Sequence, residues 1–275
     1  MTLSTIRNNP AKQKKVKTKK QKAIAATCAV AFWLLVWHVV SLCVGSELVL
    51  VSPVKVVQTL FTVLFDPDFL KTVWYSAARI LGGFFTALTL GTVLGWVASR
   101  FWVVETLLRP ITAVIKATPV ASFIILVLLW FSGKNLSVII SMLMVFPVIY
   151  MNVLEGIRSA DEKLLEMAQV FRLSVGKKLL YIYLPAVAPF FVSACSVSLG
   201  LCWKSGIAAE VIGTPDGSIG AVFYQAKIFL QTSELLAWTV VVVAVSVAFE
   251  KLFMFLLRLI LKKLKMEDVL NGKRA

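Results

Sequence analysis

Residues 155–191 read EGIRSADEKLLEMAQVFRLSVGKKLLYIYLPAVAPFF, a polar, helix-prone stretch between two strongly apolar segments. Ser159 and Glu162 have the spacing of a capping box, which predicts that a helix begins at Ser159. Ser174 is a second candidate cap, and the helix that it opens is expected to end at Pro185. Within the first helix, apolar residues recur at helical spacing and form one narrow stripe on a charged body: Leu164, Met167, Ala168 and Phe171. Such a helix is suited to docking into a groove on a soluble partner.

This stretch resembles the cytoplasmic loop of bacterial ABC importer permeases, whose motif reads E-A-A, three residues, G, nine residues, I-x-L-P. Every motif position has a counterpart in register, namely Glu166, Met167, Ala168, Arg172, Ile182, Leu184 and Pro185. Two identities depart from the motif, with Met167 in place of alanine and Arg172 in place of glycine. Glycine permits a tight turn between the two helices because it adopts positive φ at little cost. Arg172 therefore leaves the shape of this turn open.

Composition places the chain among integral membrane proteins. It has 275 residues, of which 59% are hydrophobic, and a mean hydropathy of +0.86. Since a bilayer core needs about 20 residues of helix, we predict an all-α polytopic protein with six spans, near residues 23–44, 76–98, 111–131, 136–153, 186–203 and 236–260. The first span is expected to stay uncleaved, because its apolar run is too long for a signal peptide. This gives a transmembrane domain at 23–260 with a cytoplasmic loop at 155–185, flanked by basic tails at 1–22 and 261–275.

The distribution of lysine and arginine predicts the orientation. Basic residues are concentrated in the N-terminal tail, in the loop at 155–185 and after residue 257, whereas the alternate loops also carry acidic residues. Both termini and the 155–185 loop are therefore expected to face the cytoplasm of a bacterial cell. The net charge of +15 is read mainly as this topological signal together with attraction of the tail to anionic lipid. Nucleic-acid binding is the weaker interpretation.

The second span carries a stripe of small residues spaced four apart: Gly83, Ala87, Gly91, Gly95 and Ser99. Such a stripe lets another helix approach closely, either within the chain, which we favour, or between subunits. The four cysteines lie in or at the ends of spans, so we expect buried thiols rather than a disulfide or a metal site: Cys28, Cys43, Cys195 and Cys202.

Trp203, Lys204 and Glu210 form the candidate substrate path at the end of the fifth span. A charged side chain there is costly unless it faces water or a partner. Lys204 would attract an anion, with Glu210 as its counter-ion or as a gate. The alternative is that Lys204 extends to the outer interface or pairs structurally with Glu210. The glycines at 206, 213, 217 and 220 predict a re-entrant or surface loop before the last span.

Three further segments resemble the nitrate, sulfonate and taurine branch of these permeases. They are Pro119-x-Ala121 through Gly133, Ser76-x-x-Arg79-x-x-x-Gly83, and Trp203 through Glu210. The resemblance implies a type I ABC importer permease that forms a homodimer, binds two copies of a cytoplasmic ATPase and receives substrate from an external binding protein. It further implies that Leu164, Met167, Ala168 and Phe171 dock the ATPase, with Glu166 and Arg172 setting the orientation.

No G-x-x-x-x-G-K-[ST] phosphate loop occurs in the sequence, and no catalytic arrangement is recognisable, so we expect neither an enzyme nor a cofactor. A small anion such as a sulfonate, taurine or nitrate is the favoured substrate. A neutral or cationic heterocycle remains the alternative cargo. A secondary transporter or a membrane scaffold is the alternative class, although a secondary carrier usually shows internal repeats, and none is evident here.

Overall fold

The computed structural model of the chain describes residues 19–264, and all regular structure within that range is helical. The chain divides into two compact units, before and after the boundary between Lys55 and Val56. In the first unit, α1 spans Lys19–Val44 and coincides with the first predicted span. α2 (Pro53–Leu64) begins in the first unit and continues in the second. The basic tails predicted at 1–22 and 261–275 lie largely outside the described residues.

The second unit contains the remaining helices. They are α3 (Phe69–Arg100), α4 (Trp102–Ala117), α5 (Val120–Leu128), α6 (Gly133–Arg158), α7 (Glu162–Val170), α8 (Val175–Lys178), α9 (Leu184–Gly213), α10 (Ile219–Ile228) and α11 (Thr232–Lys263). A single π-helical turn, Leu179–Tyr183, joins α8 to α9. Five helical segments of the described chain are long and apolar enough to cross a membrane, and the bent pair α4 and α5 makes a sixth if it crosses as one span. The predicted fold class is confirmed, and five to six candidate spans agree with the expected number.

The third span departs from the prediction. The predicted span was 111–131. In the structure this region contains the end of α4 and all of α5, and the two helices meet at a bend of 105°. Thr118 is extended, with φ −80° and ψ 132°. Because the proline ring disfavours helical backbone in the residue before it, Pro119 ends α4 and forces the change in direction.

The core lies where α3, α6 and α9 pack together around Phe84, Ile149 and Leu199. The small residues of α3 face α6: a Cβ on Gly83 would lie 2.8 Å from Cβ of Ser141, and one on Gly91 would lie 2.9 Å from Cγ2 of Ile149. The stripe of small residues therefore serves packing within the chain, as predicted.

α6 is the central helix of this unit. In its apolar segment 56% of the residues are buried inside the chain, against 6% in α11. Cys195 and Cys202 are buried as free thiols, whereas Cys28 and Cys43 are free and exposed, so the expected burial holds for two of the four cysteines. α6 leads directly into the loop that carries the sequence motif, which fixes that loop to the core.

Candidate functional site

The candidate docking helix α7 begins two residues later than predicted. Asp161, not Ser159, is its N-cap, and the Asp161 carboxylate accepts a hydrogen bond from the Lys163 N–H at 2.9 Å. Ser159 instead ends α6, where its hydroxyl donates to the Gly156 carbonyl at 2.8 Å. The predicted cap at Ser159 is wrong because α6 extends beyond the apolar run and uses that serine for its own C-terminus.

The apolar stripe of α7 has one buried edge and one exposed edge. Ala168 is fully buried, in a cluster with Ala160 and Ile182, and it therefore has no surface to offer a partner. Leu164, Met167 and Phe171 are exposed at 43%, 46% and 71%. Ala168 therefore packs inward and lies outside the exposed part of the predicted stripe.

α7 ends in a Schellman turn that has Arg172 in the left-handed conformation, with φ +49°. The Leu173 N–H donates to the Ala168 carbonyl at 2.9 Å, and the Arg172 N–H donates to the Gln169 carbonyl at 3.0 Å. Leu173 also packs against Ala168 in the buried cluster. The turn that a glycine would form is therefore retained with arginine in its place, at a cost in backbone strain.

The second helix of the loop does not end at Pro185. It begins after Ser174 as α8, passes through the π-helical turn and continues into α9, with Pro185 in the first turn of that helix. In the π turn the Leu184 N–H donates to the Leu179 carbonyl, five residues earlier. The wider turn lets the chain continue helically through the proline, which is why the predicted stop was wrong.

Glu166 and Arg172 are both exposed, and neither forms an ion pair among residues 19–264. The nearby ion pair joins Arg158, at the end of α6, to Glu105 of α4. This pair ties the end of the bundle that carries α7 to the start of the bent pair. The two charges assigned to orientation thus remain available on the surface of the loop.

The three candidate path residues are not equally accessible. Lys204 is exposed, but Trp203 is 2% exposed and Glu210 is fully buried. Lys204 and Glu210 form no ion pair, and six residues of helix place them on different faces of α9. In this conformation Lys204 alone of the three is exposed.

Glu210 instead joins three helices. Its Oε2 accepts hydrogen bonds from the Ser76 hydroxyl of α3 at 2.6 Å and from the Gly220 N–H of α10 at 3.3 Å. The Ser76 oxygen in turn accepts from the Ile219 N–H at 2.9 Å. The carboxylate therefore lies at the N-terminus of α10, where the helix dipole favours negative charge. The expected loop before the last span is short, because α9 extends to Gly213 and α10 begins at Ile219.

A match to a protein-family model identifies the family. The model of the family described as "Binding-protein-dependent transport system inner membrane component" matches residues 87–266, which is more than half of the chain. The chain belongs to this family. It is a membrane-spanning permease subunit of a binding-protein-dependent, ATP-driven ABC importer. The matches do not support the secondary-transporter alternative.

Curated relatives of this permease carry related names. The putative aliphatic sulfonates transport permease protein SsuC of Bacillus subtilis is 28% identical over 83% of each chain. The taurine transport system permease protein TauC of Escherichia coli is 27% identical over 78% of this chain and 80% of its own. The nitrate import permease protein NrtB of Synechocystis sp. is 25% identical over 74% and 76%. These relatives are named as transport permeases.

The fold of the permease is also that of a solved transporter. The crystal structure of an amino acid ABC transporter with histidines matches with a TM-score of 0.50 and 16% identity, over 70% of this chain and 96% of that chain. The match extends over nearly all of that chain. At this identity the likeness concerns the fold alone.

A basic pocket that the sequence did not reveal lies between α4 and α6 of the permease. It has a volume of about 410 Å³ and is lined by Arg109, Thr112, Ala113, Lys116, Ala117 and Met151. Neither Arg109 nor Lys116 was given a role from the sequence. Their spacing of seven, with Thr112 between them, is the signal that they share one face of a helix.

Proposed function

We propose that two copies of this permease form the translocation path and that α7 of each copy docks into one cytoplasmic ABC ATPase. The surface that docks consists of Leu164, Met167 and Phe171, with Glu166 and Arg172 fixing the angle. The proposal has the substrate delivered by an external binding protein, and it gives the chain no ATPase activity of its own. Hydrolysis belongs to the partner because the sequence contains no phosphate loop.

The observation that carries this proposal is the exposed edge of α7. Phe171 is 71% exposed at the end of a charged helix, although the other edge of that helix is anchored by Ala168. Burying an exposed aromatic side chain favours binding by about 1.5–3 kcal/mol. A rigidly anchored helix that presents apolar side chains between charged ones fits recognition in a groove.

The orientation is part of the proposal. The proposal has both termini and α7 in the cytoplasm. The lysines and arginines of the N-terminal tail, of the α7 loop and of the segment after residue 257 support this orientation. The α7 loop would then meet the ATPase directly, and the loop that holds α10 would face the binding protein. The membrane is the inner membrane of a bacterium, in keeping with the family's description.

The proposed cargo is a small anionic or zwitterionic solute of the sulfonate, taurine or nitrate type. Relatives named for sulfonates, taurine and nitrate support this choice. So does the exposed Lys204 on α9, which we keep as the residue of that segment that lines the path. An opposite charge at the wall of a path raises the local concentration of an ionic solute.

The mechanism that we propose is alternating access. Closure of the ATPase pair on ATP moves the two copies of α7 together, and each α7 is coupled to the core by its buried cluster with Ile182. Because Ile182 lies in the segment that continues into α9, displacement of α7 tilts α9 and with it the wall that carries Lys204. The path then opens to the outside while it closes to the cytoplasm.

The test is a detergent pull-down of tagged permease from native membranes, followed by mass spectrometry. Phe171→Asp should weaken retention of a phosphate-loop ATPase by about tenfold to a hundredfold, because it removes apolar burial and introduces a charge at the interface. The matched control is Phe229→Asp. Phe229 is 70% exposed and also caps a short helix before a left-handed residue, but at the opposite end of α9.

Retention of the ATPase by the Phe229 variant and its loss with the Phe171 variant would support the docking surface. An ATPase that stays bound to Phe171→Asp, or that is lost equally with both variants, would refute it. Cross-linking of differently tagged permease copies in the same preparation tests the homodimer separately.

A further inference from the structure

The basic pocket between α4 and α6 opens to the surface of the chain, and its two cations, Arg109 and Lys116, are both exposed. Arg109, Thr112 and Lys116 lie on one face of α4, and Met151 of α6 closes the other side. No carboxylate oxygen lies within 4 Å of the Arg109 or Lys116 nitrogens in the part of the chain that the structure describes. Both cations are exposed, so their charges are open to an ionic ligand that enters the pocket.

The hydrogen bonds that line the pocket leave its donors available. The Lys116 ammonium contacts the Met151 sulfur at 3.5 Å, and a thioether is a weak acceptor that satisfies few of the three donors. The Thr112 hydroxyl donates to the Leu108 and Arg109 carbonyls, both at 3.0 Å, so it is already used within α4. Recognition in this pocket therefore depends on Arg109 and Lys116.

We infer that this pocket binds an oxyanion, a sulfonate, phosphate or sulfate group held between the Arg109 guanidinium and the Lys116 ammonium. A planar guanidinium donates two parallel hydrogen bonds to such a group, and the ammonium adds a compact charge. The volume of about 410 Å³ accommodates a small solute or a lipid head group. The same chemistry serves a transported anion or a phospholipid phosphate.

The position of the pocket gives it a role in transport when the ligand is the cargo. Met151 precedes Arg158 on α6 by two turns, and Arg158 is tied to Glu105 of α4 just before α7 begins. An anion here would bridge α4 to α6 next to the loop that docks the ATPase. This role as a cargo site depends on the proposed function, whereas binding of an oxyanion does not.

Glu155 is the acid that follows Met151 by one turn on the same face of α6, and it is exposed. Its negative charge opposes binding of an anion next to Met151. Glu155→Gln is therefore expected to strengthen anion binding, whereas loss of Arg109 or Lys116 should weaken it.

The test is equilibrium binding of radiolabelled sulfate to purified full-length permease, with methanesulfonate as a competitor, at constant ionic strength in chloride. Arg109→Gln and Lys116→Gln should each weaken binding by about tenfold or more, since each removes a charge-assisted hydrogen bond. Lys116→Arg keeps the positive charge and should retain most of the wild-type affinity for sulfate. Lys134→Gln, which removes an exposed lysine outside the pocket, is the control and should leave binding unchanged.

Two further arms separate the sources of the oxyanion. In nanodiscs of phosphatidylcholine alone, a small-anion site keeps its sulfate affinity. If the occupant is a lipid, phosphatidylglycerol displaces sulfate, and phosphatidylglycerol that co-purifies with wild type is lost from the Arg109 and Lys116 variants. Either result supports an oxyanion site.

Absence of binding to wild type in both arms, or equal binding to wild type and both glutamine variants, would overturn the inference. Loss of sulfate binding in Lys204→Gln with retention in the pocket variants would overturn it as well and would place the anion at α9. ATPase retention in the pull-down is unaffected by the pocket variants, so failure of this inference is distinguishable from failure of the docking proposal.

Discussion

Arg172→Gly is predicted to stabilise the turn that closes α7. Arg172 has φ +49°, a conformation that costs an L-residue about 1–2 kcal/mol. Glycine removes this cost, but its greater freedom in the unfolded chain offsets about 0.4–1 kcal/mol. The Arg172 side chain is exposed and lacks an ion pair among residues 19–264, so its removal sacrifices no packing. The net gain is about 0.5–1 kcal/mol for the folded turn.

Hydrogen–deuterium exchange with mass spectrometry measures this gain directly. The N–H groups of Arg172 and Leu173 are protected by the Gln169 and Ala168 carbonyls, so their exchange reports opening of the turn. In Arg172→Gly, exchange of residue 173 should be about twofold to fivefold slower than in wild type.

Arg172→Ala distinguishes backbone strain from charge. Alanine retains a Cβ and therefore the strain, while it removes the guanidinium, so its exchange should be no slower than in wild type. If the alanine variant slows exchange as much as the glycine variant, the charge of Arg172 governs the turn and the argument from φ is refuted. Leu230, with φ +55° in the same kind of turn after α10, provides an independent repeat, in which Leu230→Gly should slow exchange of its own turn.

Two further predictions concern the core. Glu210→Ala should lower the free energy of unfolding by about 3–5 kcal/mol, because two hydrogen bonds to a carboxylate are lost together. Thermal unfolding in detergent tests this, with Lys204→Gln expected within about 0.5 kcal/mol of wild type; equal effects of the two variants would contradict the role of Glu210. Gly83→Ala should destabilise by about 1–3 kcal/mol because its Cβ would lie 2.8 Å from Cβ of Ser141. At Gly82 a Cβ would meet nothing within 4 Å, so Gly82→Ala should instead stabilise by about 0.5–1 kcal/mol; destabilisation by both variants would argue against the close approach of α3 to α6.

The number of crossings and the location of the loop could be predicted from the sequence, because both follow from local patterns. Apolar length determines whether a segment spans a bilayer, and the register of the motif from Glu166 to Pro185 locates the loop. The bend in the third span was missed, although the signal was present. Pro119 lies inside the predicted span, and its effect on Thr118 is a local one.

Periodicity could not reveal which edge of α7 is buried. The pattern places Leu164, Met167, Ala168 and Phe171 on one face, but only the packing of Ile182 shows that Ala168 is turned inward. The cap at Ser159 failed for a related reason. Asp161 follows Ser159 by two residues and is also of a type favoured at N-caps, and its use depends on how far α6 extends.

The partners of Glu210 had no local signal at all. Ser76 is 134 residues away in sequence. Gly220 belongs to α10, in a segment where the glycine pattern had predicted a loop. A buried carboxylate requires partners, but sequence alone does not say which segments provide them. The sequence therefore indicated an important residue and assigned it the wrong surroundings.

The segment Val175–Gly213 links the candidate docking loop to Glu210 as one continuous helical rod. At one end Ile182 packs against Ala168 of α7, and at the other end Glu210 is bonded to Ser76 of α3 and to the start of α10. Since both attachments are buried, force applied at α7 reaches α3 and α10 without passing through a flexible loop. The bend at Thr118–Pro119 lies outside this rod. In the proposed mechanism, displacement of α7 would therefore move α9 together with its partners in α3 and α10.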